Sequence, residues 1–450
     1  MKTVIMAGGR GTRISELFPD IPKPLIPITD SNGVSKPVLQ WEIESLRYQG
    51  FTELILTVGY MADKIIEYFK DGSDFGVQIE YFVEETPLGN AGALFKLGLD
   101  DDFLLLIADA MFDVDFNRMV EFHHSHNALA TLFTHPNSHP YDSSVLITDD
   151  NNSVTQWLAK EDTRPDWYRN RVNAGLQILN PAVLEMSGID PEIIGCDKDG
   201  KVVKVDMDRQ ILKPLCGSGR MFCYDSPEYC KDMGTPDRFN QVSQDFRSGT
   251  IQARNLSKPQ KAIFLDRDGT INKYVGFLRN IDDFELLPGV TEAITQINNS
   301  EYLAIVATNQ PVIARGEVTV QQLQDIHNKL ETLLGSEGAY INGLYYCPHH
   351  PDKGFEGEVP ELKIRCNCRK PNIGMLTAAA KDFNIDVAQS WYIGDSTMDV
   401  QTGKNAGMKT VLLLTGIAGE DRKYLVEPDY IAKDLLDAVA YILNSEGEAK

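Results

Sequence analysis

The 450-residue chain has no apolar run long enough to cross a bilayer as a helix, so a membrane-spanning role is not expected. Cations are in deficit: Lys+Arg number 43 against 65 Asp+Glu, a formal net charge of −22. Nucleic acids and anionic membranes need clustered cations, so both are excluded as partners. A phosphate ligand must instead be held by backbone NH groups, a few placed Lys or Arg and a metal. Cysteine is sparse and odd in number, at seven. The start of the chain, with only Thr3–Ala7 apolar before it turns glycine-rich, does not read as a secretory signal. Both features favour the reducing cytoplasm. Cys196, Cys216, Cys223 and Cys230 lack ligand spacing and read as packed thiols. A hydrophobic fraction of 42% and a charged fraction of 24% describe an ordinary globular chain. At this length two or more domains are expected.

What is present is organised around Phe264-Leu265-Asp266-Arg267-Asp268-Gly269-Thr270. The apolar run Ala262–Leu265 reads as a buried parallel strand, and Asp266 and Asp268 emerge at its carboxyl end, where open α/β sheets bind ligands. Neighbouring carboxylates invite a divalent cation, typically Mg2+. One of them can attack phosphorus while the other shuttles a proton. A calcium loop is excluded because no Glu closes it at the required distance.

In the first half, Lys2–Ala7 reads as a strand running into Gly8-Gly9-Arg10-Gly11-Thr12-Arg13, where NH groups and Arg13 can cradle phosphates. Pro22-Lys23-Pro24-Leu25 supplies a second cation on a rigid segment. Alternating strands (54–58, 103–108) and helices (37–50, 62–69) imply a mostly parallel, doubly wound sheet. Glu85–Ala93 is a further glycine loop leading into a helix, and His123, His124 and His126 read as a polar helix end.

The segments AGGRGTR (7–13), PKPL (22–25), Pro87-Leu88-Gly89-Asn90-Ala91-Gly92, VNAG (172–175) and Asp232-Met233-Gly234-Thr235-Pro236 occur in that order. Over residues 1–246 the chain therefore resembles the sugar-1-phosphate nucleotidyltransferases. The resemblance implies that Gly8, Gly9, Gly11, Thr12 and Arg13 hold a nucleoside triphosphate and that Lys23 stabilises charge in the transition state. It also implies Mg2+ on Asp109 and Asp232, Lys160 on the sugar phosphate, Gly89 against the nucleobase, and Asn173 and Gly175 lining the sugar. Asp109 departs from the family in its setting, Ile-Ala-Asp-Ala instead of Asn-Gly-Asp.

Residues 247–260, poor in large apolar side chains and containing Gly, Ser and Pro, read as a linker. Beyond it, residues 261–450 form a second, different α/β domain, also doubly wound and mostly parallel. Thr308, Asn309 and Gln310 follow an apolar strand and can hydrogen-bond a phosphoryl group; Arg369 and Lys370 offer cations. Gly394-Asp395-Ser396-Thr397-Met398-Asp399 is a further acidic strand end. Cys347, His349, Cys366 and Cys368 make C-x-H…C-x-C, a Cys3His set suited to a closed structural Zn2+ site. The spacing leaves His350 as an alternative to His349.

Asp266, Thr308, Lys370 and Asp395, in this order, resemble the haloacid-dehalogenase-type (HAD) phosphatases. DRDGTIN (266–272), LPGV (287–290), TNQ with ARG (314–316), CPHHP (347–351) and CNCRKP (366–371) narrow that to the heptose-1,7-bisphosphate phosphatases, with histidinol-phosphate phosphatases as close relatives. The resemblance implies Asp266 as nucleophile, Asp268 as general acid/base, and Thr308 and Lys370 on the phosphoryl group. Asp395 would complete an Mg2+ site with Asp266 and Asp268, and Arg315 would be a specificity contact. Pro311, where the family has a small residue, removes a backbone donor. Taken together, the two resemblances imply consecutive steps: removal of the 7-phosphate of a heptose bisphosphate, then transfer of a nucleotidyl group, with GTP as donor. Another sugar, histidinol phosphate, or one non-catalytic half are the alternatives. The oligomeric state stays open, a homo-oligomer included.

Overall fold

The structure, a computed structural model, describes residues 1–9, 13–14, 17–195, 200 and 202–447. The expected loop residues Gly11 and Thr12, and Cys196, lie outside them. The chain divides into two compact units. The first holds residues 1–135, 146–159 and 173–255; the second holds 136–145, 160–172 and 256–450. Two short segments from the first half of the sequence thus belong to the second unit, and Lys160 lies in one of them. Among the described residues no helix is long and apolar enough to cross a membrane.

The first unit's elements are β1 (Lys2–Met6), α1 (Val38–Tyr48), β2 (Glu53–Val58), α2 (Ala62–Phe69), β3 (Gln78–Val83), β4 (Phe103–Ile107), β5 (Ala110–Asp113), α3 (Phe116–Ser125), β6 (Ala130–His135), β7 (Val145–Thr148), β8 (Val154–Leu158), β9 (Val172–Leu179), β10 (Met221–Asp225), β11 (Tyr229–Asp232) and α4 (Pro236–Ser248). Strands run β8-β7-β9-β4-β1-β2-β3, with β6 joining β9 to β10. The centre of this sheet is parallel: β1 pairs with both β2 and β4. Alternation fixes its two faces. Ile5, Leu104 and Leu106 enter one core with Leu39, Ile43 and Ile65, whereas Val4, Phe103 and Leu105 enter another with Leu88, Ala93 and Val205. With both faces covered, the carboxyl ends of β1 and β4 are free to carry polar loops. His123 and His124 close the last turn of α3, as expected of a polar helix end.

Residues 247–260 are not extended. Gly249, left-handed at φ +82°, ends α4, and a short helix, Thr250–Ala253, buries Ile251.

The second unit carries β12 (Lys261–Leu265), α5 (Val290–Asn298), β13 (Tyr302–Asn309), α6 (Val320–Ser336), β14 (Gly343–Cys347), α7 (Gly374–Phe383), β15 (Trp391–Gly394), α8 (Thr397–Asn405), β16 (Lys409–Leu413), β17 (Tyr430–Ala432) and α9 (Leu435–Gly447). Its six strands, in the order β14-β13-β12-β15-β16-β17, pair in parallel throughout. Again alternation sorts the core: Ile263, Leu265, Ala304 and Val306 pack with α5 and α9, and Ala262, Phe264, Leu303 and Ile305 pack with α7. The strand order reverses at β12, so the crevice outside its carboxyl end, between β13 and β15, is the ligand position of such a sheet. Asp266 stands there.

Gly316 sits at φ +70°, and a Cβ on it would meet the carbonyl oxygen of Gly357 at 1.8 Å. The left-handed conformation alone costs an alanine about 1–2 kcal/mol, and the backbone clash adds to that. We expect Gly316→Ala to lower the urea midpoint of the second unit while leaving the first unit's transition in place. An unchanged midpoint would contradict this packing.

Candidate active sites and a thiol cluster

In the first unit, β1 and β4 deliver two kinds of loop to one cavity of about 890 Å3. Gly8 and Gly9 follow β1; Ala108 and Asp109 follow β4; Gly89 and Asn90 face them, and Lys23 and Lys204 supply cations. Lys23 Nζ lies 3.0 Å from Asp109 Oδ2. Antiparallel pairing of β11 with β5 sets Asp232 opposite Ala110, and Met233 N donates to Asp109 O at 2.9 Å. The two expected metal-binding carboxylates are thereby brought to neighbouring backbone positions. Asp232 Oδ1 accepts from Gly234 N at 2.8 Å, and its other oxygen pairs with Arg238. Arg13, Lys23 and Asp232 converge on Gly234: a Cβ there would lie within 3.7 Å of all three.

Gly89, at φ +89°, bridges Val205, whose carbonyl oxygen would be 2.3 Å from any Cβ at that position. The close backbone approach, reinforced by Met207 N donating to Asn90 Oδ1 at 2.8 Å, straps residues 205–207 to the glycine loop. Asn173 Oδ1 accepts from Gly175 N at 3.2 Å, and Gly175 packs on Ile107, which lines the cavity. Lys160 is exposed and belongs to the second unit.

Two groups in the first site had little signal in the sequence. Lys204 lies in a segment without a motif. Glu42, on the buried face of α1 with Val38, Leu39 and Leu46, is 1% exposed and neither oxygen has a hydrogen-bond partner. Burial, then the nearby charge of Asp109, holds its carboxyl well above the usual range, with Lys23 opposing. Its only sequence signal is an acid at an apolar position of a helix.

In the second unit a cavity of about 250 Å3 is lined by Asp266, Asp268, Thr308, Gln310, Lys370, Asp395 and Asp399, among others. Lys370 Nζ lies 2.8 Å from Asp266 Oδ1 and 2.6 Å from Asp399 Oδ1. Asp266, Asp395 and Asp399 each turn one oxygen into a group that could hold a metal ion. Asp268 points its carboxylate elsewhere, to Arg267, Asn272 and Gln310. Burial pushes Asp266 up to about 6; Lys370 opposes this, and Asp399 and Asp268 add to it. Burial and then the charges of Asp399 and Asp266 push Asp395 up to about 8. Lys370 moves the other way: burial disfavours its charge, but Asp266 and Asp399 outweigh that and hold it well above the usual lysine range.

Asp399 is the acid that motif reading undervalued. It sits at the third position of α8 and closes a capping box with Ser396, whose Oγ accepts from Asp399 N at 3.3 Å. The Ser-x-x-Asp spacing was visible, but not its second duty toward Lys370. Asn309 lines the cavity as expected of a substrate contact and also clips the Lys370 loop: Lys370 N donates to its Oδ1 at 3.0 Å. Arg369 Nη1 donates to His349 O at 3.1 Å. Arg315 lies between the rings of Phe277 and Phe355, 4.2 and 4.3 Å from their centroids, and pairs with Glu317 at 2.8 Å. It is not among the residues lining the cavity.

Cys347, Cys366 and Cys368 bring their sulfurs within 3.2–3.5 Å of one another, and His349 Nδ1 is 3.3 Å from Cys368 Sγ. These separations are far beyond a disulfide's 2.05 Å or so and suit four ligands around one ion. His349 rather than His350 completes the group; His350 Nδ1 accepts from Asp352 N at 3.2 Å.

Residues 2–249 match the nucleotidyl transferase family, more than half of the chain, and residues 367–438 match the HAD-hydrolase-like family. D-glycero-beta-D-manno-heptose-1,7-bisphosphate 7-phosphatase of Haemophilus ducreyi is 42% identical over 187 residues, 41% of this chain and 98% of that protein. The protein of that name from Escherichia coli K12 is 40% identical over 162 residues, 36% of this chain and 83% of its own. A solved structure of HddC from Yersinia pseudotuberculosis is 24% identical, covering 54% of this chain and 99% of its own, with a TM-score of 0.42. The chain is an enzyme that joins a nucleotidyltransferase to a phosphatase. It belongs to the nucleotidyl transferase family and, through its second half, to the family of the D-glycero-beta-D-manno-heptose-1,7-bisphosphate 7-phosphatases.

Proposed function

We propose that the second half removes the 7-phosphate of D-glycero-D-manno-heptose 1,7-bisphosphate and the first half transfers GMP from GTP to the resulting heptose 1-phosphate. The observation that carries the phosphatase reading is Lys370, buried between Asp266 and Asp399 and lining a small cavity. A lysine so placed neutralises a transferring phosphoryl group and keeps Asp266 ionised as nucleophile. Thr308 binds the same group, and Asp268 handles the proton. Asp266 and Asp395, with Asp399 beside them, present the hard oxygen donors that suit Mg2+. That cation would offset phosphoryl charge when bound.

In the first half, Arg13, Lys23 and the NH groups of Gly8 and Gly9 hold the triphosphate, and the sugar phosphate attacks its α-phosphorus as pyrophosphate leaves. No protein nucleophile is required there; positioning and electrostatics carry the rate. Asp109 and Asp232 are the candidate Mg2+ ligands of that half. Zn2+ fits the three thiols and the imidazole, and would fix the loop that delivers Arg369 and Lys370. The enzyme works in the cytoplasm on soluble sugar phosphates.

Incubation with Mg2+, heptose 1,7-bisphosphate and each nucleoside triphosphate in turn, followed by mass spectrometry, tests the whole reading. The expected outcome is release of one phosphate and GDP-heptose with GTP alone. Nucleotide-sugar from another triphosphate would overturn the choice of GTP, and no phosphate release would overturn the heptose substrate.

Two further outcomes are expected. Because Asp395 and Asp266 are raised and a metal needs their ionised forms, Mg2+ affinity of the second site rises with pH between 6 and 8 and then levels. Each proton displaced contributes up to about tenfold per pH unit. Calorimetry at both pH values should show it, and pH-independent affinity would contradict it. Cys366→Ser should lower bound zinc, measured by elemental analysis, and depress phosphate release. Nucleotidyl transfer to supplied heptose 1-phosphate should stay near wild type.

A further inference from the structure

Asp268 is gripped more tightly than a carboxylate at a cavity wall needs to be. Arg267 Nη2 lies 2.9 Å from each of its oxygens. Asn272 Nδ2 donates to Oδ1 at 3.0 Å, and Gln310 Nε2 to Oδ2 at 2.9 Å. The donors also hold one another: Arg267 Nη2 donates to Gln310 Oε1 at 3.1 Å, and Gln310 Nε2 to Thr308 Oγ1 at 3.0 Å. Arg267 is 0% exposed and Gln310 2%, whereas the Asp268 side chain keeps 18% exposure toward the cavity. Beside Arg267 lies His327, which burial first and the guanidinium second hold well below the usual imidazole range, so it stays neutral.

A fully buried arginine is a poor way to gain stability, since apolar residues of similar volume are often as good or better. Its fork, unlike a lysine's point charge, specifies a direction. Here that direction is the carboxylate plane of Asp268, and Gln310 locks it from a second strand end. Asp268 is thereby kept out of the Asp266–Asp395–Asp399 group and presented at one angle to the cavity it shares with Asp266.

We propose that Arg267 and Gln310 are positioning residues that aim Asp268 for proton transfer. The inference rests on reading this half as an aspartyl-phosphate phosphatase. In the first step Asp266 forms a bond to phosphorus, the bond to the sugar oxygen breaks, and that oxygen takes its electron pair and a proton from Asp268. In the second, water attacks the aspartyl-phosphate, Asp268 takes a proton from the water, and inorganic phosphate leaves with Asp266 regenerated. An alkoxide is a poor leaving group and needs the first proton; p-nitrophenolate does not.

The experiment compares kcat/KM, which reports formation of the aspartyl-phosphate, on heptose 1,7-bisphosphate and on p-nitrophenyl phosphate for the full chain and its Gln310→Leu, Arg267→Lys and Arg267→Met variants. General-acid catalysis contributes about 100-fold or more. We expect Gln310→Leu and Arg267→Met to lose on the order of 100-fold on the sugar ester but less than about tenfold on the aryl ester. Arg267→Lys should fall between them and wild type. Should Arg267→Met fail to fold, as a melting curve would show, Gln310→Leu decides alone. Equal losses on both esters, or none on the sugar ester, would overturn the inference. A wild-type chain without activity, or an Asp266→Asn variant that keeps it, would overturn the phosphatase reading itself.

Discussion

The second unit is arranged around one buried cation. Lys370, 4% exposed, is held between Asp266 and Asp399, themselves part of a set of carboxylates at the ends of β12 and β15. Removing either acid would leave a buried charge short of a partner, a change that typically costs about 3–5 kcal/mol. Much of the neighbouring architecture serves this placement. The parallel sheet opens at β12 and delivers Asp266. The capping box of α8 fixes Asp399. Asn309 clips the backbone of Lys370, and the thiol cluster ends two residues before it, at Cys368. The proposed phosphoryl transfer therefore depends on one buried ion-pair group.

The first unit solves a similar problem with less burial. Its cation, Lys23, pairs with Asp109, whose side chain is half exposed. The stiffness comes from backbone: the Gly89–Val205 bridge and the β5–β11 pairing set the loops before any substrate arrives. That suits a reaction in which two bound substrates react directly, so positioning and field matter more than a reactive side chain. Buried Glu42 adds an acid whose charged form is disfavoured first by burial and then by Asp109, with Lys23 opposing.

The sequence was most legible where one residue type at one strand end carries the chemistry. Asp266, Asp268, Thr308, Lys370 and Asp395 line one cavity, and Cys347, His349, Cys366 and Cys368 meet as their spacing suggested. Strand and helix positions followed from apolar runs, because a parallel sheet buried on both faces leaves near-continuous hydrophobic strands. What it hid were partnerships across long separations. Asp399 meets Lys370 over 29 residues, and Gln310 meets Asp268 over 42. Lys204 enters the first cavity from a segment with no motif, while Lys160, carried by a strong resemblance, falls on a segment of the other unit. The choice of His349 over His350 needed ring direction, which spacing does not encode. Arg315, expected from the resemblance as a specificity contact, lies against two aromatic rings and pairs with Glu317.

The central claim is that Asp266, poised by Lys370, takes the phosphoryl group covalently. Rapid acid quench of the full chain during turnover of the bisphosphate, followed by peptide mass mapping, measures this directly. A phosphate increment is expected on the peptide containing Asp266 and is absent in Asp266→Asn. Steady phosphate release with no phosphorylated Asp266 at any quench time, or an increment on a different residue, would contradict it.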